Sequence, residues 1–127
     1  MTTLGIDYGD AKVGIALAEG PLASPLAVIR YKNYEELIAK IKKVLEDEGV
    51  EEIVVGVSEG ESAEKSREFG IRLSEALSVP VNFVDETLSS QDAQKLSVEA
   101  GMKRKKRRGM EDAFAATLIL QSYLDSR

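Results

Sequence analysis

The chain contains no cysteine, no histidine and no tryptophan, and only three prolines. Without cysteine there is no disulfide, no thiolate metal centre and no cysteine nucleophile. Without histidine there is no His-based triad, no imidazole general base and little scope for zinc. No apolar run reaches the length needed to span a bilayer, and Met1-Thr2-Thr3 leads into a strand pattern without a charged start or signal-like core. These absences predict a soluble, cytoplasmic protein with no membrane partner. Its chemistry must rest on carboxylates, hydroxyls, Lys, Arg, or a metal held by oxygen ligands.

What is present is charge, unevenly spread. The 127 residues, enough for one domain with its own core, carry 17 basic and 22 acidic side chains, a net charge of −5. Six of the basic residues stand together as Lys103-Arg104-Lys105-Lys106-Arg107-Arg108. With those six set aside, 11 basic residues face 22 acidic ones, a net of −11. A basic segment on an acidic body points to a nucleic-acid partner despite the negative total.

The opening Leu4-Gly5-Ile6-Asp7-Tyr8-Gly9-Asp10-Ala11-Lys12-Val13-Gly14-Ile15-Ala16-Leu17-Ala18 reads as a hairpin, two apolar runs around a Gly/Asp turn. Residues 26–31 read as a third strand after a Pro-bracketed loop. Asn33 caps a helix whose Tyr34, Leu37, Ile38, Ile41, Val44 and Leu45 share a face, and Gly49 closes it. Residues 52–57 form a continuous apolar strand. A second helix carries Ser66, Phe69, Gly70, Leu73, Ala76 and Leu77 on one stripe. Residues 81–84 are a fifth strand, Ser89 and Asp92 suggest the start of a helix reaching to about Ala100, and Gly109 leads into a last helix over about 110–123. This order predicts an α/β fold: a mixed five-stranded sheet, its first three strands antiparallel, with helices on both faces.

Asp7 is out of place inside an apolar strand, because an unpaired buried charge is costly. The topology can bring it to one sheet edge with Glu86, just past the fifth strand, and with Asp112, at the start of the last helix. Converging carboxylates repel unless a cation neutralises them, and oxygen-only ligands select Mg²⁺ or Mn²⁺, which can activate water against a phosphodiester. Each acid also has a plainer reading: Asp7 as a turn cap, Glu86 as a solvated loop acid, Asp112 as a helix cap or first-turn acid. Asp85 and Glu111 are adjacent alternatives, and Glu59, after the fourth strand, is a possible fourth ligand. Lys12 and the tract of Lys103, Arg104, Lys105, Lys106, Arg107 and Arg108 are candidates for phosphate contact, with Thr87, Ser89 and Ser90 as weaker ones.

The three motifs together resemble the YqgF/RuvX family, described as Holliday junction resolvases and as pre-16S ribosomal RNA processing nucleases. Leu4-Gly5-Ile6-Asp7-Tyr8-Gly9 with Lys12-Val13-Gly14-Ile15-Ala16 resembles its first motif, and Asp85-Glu86-Thr87-Leu88-Ser89-Ser90 with Ala93 its second. Asp112-Ala113 with Ala115-Ala116 and Ile119-Leu120-Gln121-Ser122-Tyr123-Leu124 resembles its third. The resemblance implies a ribonuclease H-like fold, with Asp7, Glu86 and Asp112 as acidic active-site residues. It also implies divalent-metal-dependent cleavage of precursor rRNA or branched DNA, by a monomer or homodimer. The family usually carries a longer Pro/Asn/Gly-containing loop after the fourth strand, where this chain has the short, acidic Val57-Ser58-Glu59-Gly60-Glu61. Two other readings compete. One is a non-catalytic RNA-binding or ribosome-assembly factor; the other is an actin-like ATPase fragment, suggested by Gly5-Ile6-Asp7-Tyr8-Gly9.

Overall fold

A computed structural model describes residues 1–9, 11–57, 61–85 and 104–126, with the side chains of residues 61–62 and 104–109 outside that description. Strands β1 (Thr3–Asp7), β2 (Lys12–Ala18) and β3 (Ser24–Arg30) come first, followed by helix α1 (Tyr34–Glu48). Strand β4 (Glu52–Val57), helix α2 (Glu61–Leu77), strand β5 (Val81–Asp85) and helix α3 (Arg104–Asp125) complete the order. The expected helix before residue 100 falls outside the described residues.

The sheet runs β3-β2-β1-β4-β5, antiparallel through β3, β2 and β1 and parallel from β1 through β4 to β5. Period-2 alternation divides the strand residues between its two faces. Leu4, Ile6, Val13, Ile15, Ile53 and Val55 pack with Leu37 and Ile41 of α1 and Phe69 and Leu73 of α2. On the opposite face Ala16, Ala18 and Val54 meet Ala116, Ile119 and Leu120 of α3. β2, β1 and β4 are the interior strands, and only a strand covered on both sides can be as continuously apolar as Ile53-Val54-Val55.

The small residues on that second face set how near α3 lies. A methyl group built on Gly5 would stand 2.7 Å from Leu120 Cβ, and one on Gly14 would stand 1.9 Å from the Asp112 carbonyl oxygen. The helix backbone therefore rests on the two glycines. The far end of α3 is tied down by a buried carboxylate. Glu52 accepts hydrogen bonds from the Tyr123 hydroxyl (2.7 Å), the Asn82 amide (2.8 Å) and the Thr3 hydroxyl (3.4 Å), which joins α3 to β1, β4 and β5. Donors on both carboxylate oxygens offset the cost of removing Glu52 from water.

The caps of α1 are as expected: Asn33 Oδ1 accepts from Glu36 N at 2.9 Å, and Gly49 takes the left-handed conformation at φ 65°. Two boundaries differ. β3 starts at Ser24, taking in Pro25, and ends at Arg30, because it is an edge strand where the missing proline N–H disturbs no ladder. α3 starts at Arg104 rather than near Met110, so Arg104 to Arg108 are helical and Gly109 lies inside the helix. Lys and Arg are good helix formers, and one internal glycine is tolerated.

Candidate active site

Asp7 is the last residue of β1 and pairs in register with Gly14 of β2. Residues 3, 5 and 7 share one face of the strand, and Gly5 faces α3, so Asp7 leaves the sheet on the α3 side. Asp112 arrives from above. It is the ninth residue of α3, more than two turns inside the helix, which removes the reading of it as an N-cap or first-turn acid. Its main chain sits directly on Gly14, the strand partner of Asp7. Two of the three expected acids thus share one sheet face at neighbouring positions.

Lys12, two residues before Gly14 and on the same face, carries the local counter-charge: its Nζ lies 3.1 Å from Asp112 Oδ2. The two side chains are 46% and 31% exposed, so the pair is worth no more than about 1 kcal/mol and exchanges readily.

Glu86 and Glu59 lie outside the described residues, as do Asp10 and Lys103; the side chains of Arg104, Lys105, Lys106, Arg107 and Arg108 do too. Asp85, the alternative to Glu86, ends β5 and is exposed. It shares parity with Val81 and Phe83, which meet Gly70 of α2, so it leaves the sheet on the face opposite Asp7. Glu111 is exposed beside Asp112. Among the described residues no three acidic side chains form a cluster able to hold a metal.

An aromatic group beneath the β1–β2 turn has no counterpart in the sequence reading. Tyr8, immediately after Asp7, stacks on Phe69 of α2 (centroids 4.4 Å apart, planes at 19°) and more loosely on Tyr31 (6.5 Å, 27°). Its hydroxyl lies 3.1 Å from that of Tyr34, over which the Arg72 guanidinium sits at 4.7 Å. Burial and the Tyr8 hydrogen bond push the Tyr34 hydroxyl up to about 12. The Tyr31 hydroxyl donates to the Gly9 carbonyl, and Tyr31 N donates to the Ala11 carbonyl at 3.2 Å. Four of the seven aromatic residues thus clamp the turn that follows Asp7. Tyr34 and Phe69 were legible as core residues on helix stripes, but nothing in their spacing linked them to Tyr8.

A family model described as RuvX: Holliday junction resolvase matches residues 1–126. The chain belongs to the RuvX family. A relative from Halothermothrix orenii, whose name proposes a pre-16S rRNA nuclease, is 41% identical over 133 residues, covering 98% of this chain and 95% of the relative. Among solved structures, RuvC of T. thermophilus in complex with a Holliday junction substrate superposes with a TM-score of 0.67 at 17% identity, covering 99% of this chain and 96% of that one. The fowlpox virus Holliday junction resolvase does so with a TM-score of 0.64 at 12% identity, covering the whole of both chains. At such identities the likeness is one of fold, and this RuvX chain has the ribonuclease H-like architecture that its motifs imply.

Proposed function

We propose that this RuvX-family chain is a divalent-metal-dependent nuclease that hydrolyses phosphodiester bonds in structured nucleic acid in the cytoplasm, as one nuclease domain. The observation that carries the reading is the placement of Asp7 and Asp112 on one sheet face, Asp7 as the strand partner of Gly14 and Asp112 with its main chain resting on that same glycine. Its substrate is the precursor of 16S rRNA, because the relative named for that activity is 41% identical over nearly the full chain. A four-way DNA junction is the second reading, favoured by the family's own description.

The donor set fits a hard cation. Two carboxylates with no imidazole or thiolate suit Mg²⁺ or Mn²⁺, which commonly bind through one or two carboxylates together with substrate phosphates. Asp7, Asp112 and Glu86 would hold the ion. When bound, the ion neutralises phosphate charge and makes water a competent nucleophile, so no histidine is needed. The rest falls to the protein. β1 and its aromatic clamp fix Asp7, and the Gly14 contact fixes the height of Asp112 above the sheet. Lys12 balances the charge of Asp112 and, with Lys103, Arg104, Lys105, Lys106, Arg107 and Arg108, contacts the nucleic-acid backbone.

Cleavage of a labelled pre-16S rRNA 5′-end fragment and of a four-way junction, each with Mg²⁺ and with Mn²⁺, tests the proposal. Metal-dependent cleavage of the RNA in preference to the junction is expected. Binding of both substrates without turnover in either metal overturns it in favour of a non-catalytic factor.

A further inference from the structure

Arg30 ends β3 directly opposite Lys12, the first residue of β2. Side chains at directly opposed positions leave the same face of the sheet as near neighbours, and like charges so placed oppose folding. That face is the one on which Lys12 reaches Asp112. The two cations differ in what they meet there: Lys12 is paired with Asp112, while Arg30 is exposed and, among the described residues, has no carboxylate partner. The nearby Lys40 adds no acid to the balance. Its Nζ donates to the Arg30 carbonyl at 2.8 Å and takes up Glu36 at 3.0 Å. A basic corner of this kind, on a body whose net charge outside residues 103–108 is −11, gains from an incoming anion and not from the fold.

We infer that Lys12 and Arg30 form a phosphate-binding step beside the carboxylates, and that Lys12 serves two partners in turn. It holds Asp112 while no divalent cation is bound, and moves to the nucleic-acid backbone once a cation takes Asp112. The inference rests on the nuclease reading for its substrate and adds a direction to it. The bound strand leaves the acidic residues across β2 and β3, on the α3 side of the sheet, and not across β4 and β5. Neither residue reads a base, so the contribution is independent of sequence and sensitive to salt.

Fluorescence anisotropy of a labelled RNA hairpin with a single-stranded 5′ extension tests this with the full chain, over a KCl series, in CaCl₂ and separately in EDTA. Arg30→Ala is expected to weaken binding in both conditions and to flatten the log–log salt slope by about one phosphate contact, roughly 0.7–0.9. Arg30→Lys is expected to keep the wild-type slope. Lys12→Ala is expected to weaken binding in CaCl₂ and to have little effect in EDTA, where the wild-type lysine is already engaged with Asp112. A wild-type slope in Arg30→Ala, with RNA binding intact, overturns the phosphate step and leaves the nuclease reading standing. Equal losses for Lys12→Ala in CaCl₂ and EDTA overturn the exchange of partners. Failure of the wild-type chain to bind the RNA in either condition overturns both this step and the nuclease reading.

Discussion

Gly14 joins the fold to the site more directly than any other described residue. A methyl group there has no room beneath the Asp112 carbonyl, so Gly14→Ala must lift α3 from β2 and carry Asp112 with it. Overpacking of this kind costs about 1–3 kcal/mol, and urea unfolding of the variant is expected to show a loss in that range. Nuclease activity should fall further than stability alone explains. Gly20→Ala, which meets nothing within 4 Å, is the matched control and should leave both unchanged. Tyr34 gives a prediction of another kind. Its hydroxyl is raised to about 12, so the folded state holds that proton more tightly than the unfolded chain, whose tyrosine titrates near 10. The stabilisation is fully present below pH 10 and is lost as pH rises through 12. Thermal melts between pH 9 and 12 should therefore fall less steeply for Tyr34→Phe than for wild type.

Helix α3 places its ninth residue, Asp112, at the acidic site and its last turn on Glu52, so the two contacts can be tested apart. Tyr123→Phe removes a 2.7 Å donor from a buried carboxylate far along the helix from Asp112. Hydrogen bonds to charged groups are worth about 1.5–3 kcal/mol, so an unfolding free energy lowered by that much with near-normal turnover is the expected outcome. Lost turnover with unchanged stability would contradict the division. The elements also show what a sequence displays and what it conceals. α1 was readable to the residue because Asn33 and Gly49 carry explicit cap chemistry at both ends. α3 was not, because Gly109 resembles a stop signal, whereas the Lys and Arg residues before it are competent helix formers. The site divided in the same way. Asp7 was singled out as a charge in an apolar strand and Asp112 as an acid near the expected start of the last helix, and the structure puts both on one sheet face. The aromatic clamp and Arg30 take their meaning only from register and packing between distant elements, which no spacing along the chain encodes.

At the scale of the whole molecule, the acidic body and the basic helix start act in opposite directions on a nucleic acid. On the proposed reading, the phosphate contacts of the basic residues release counterions and weaken with added salt, so affinity should fall as ionic strength rises, with the screened repulsion of the acidic body offsetting part of that loss. The proposed cation binding belongs to this scale because an ion held by Asp7 and Asp112 would couple β1 to α3. A ligand that binds only the folded state raises its melting temperature by mass action. Millimolar Mg²⁺ or Mn²⁺ is therefore expected to raise the melting temperature of wild type and to do so little for Asp112→Asn. The most direct test is turnover itself, read beside affinity for the same molecule. With Mg²⁺ and a 5′-labelled pre-16S rRNA fragment, wild type is predicted to cleave while Asp7→Asn binds equally well and loses activity by roughly a hundredfold or more. Full cleavage by Asp7→Asn at unchanged affinity would contradict the account.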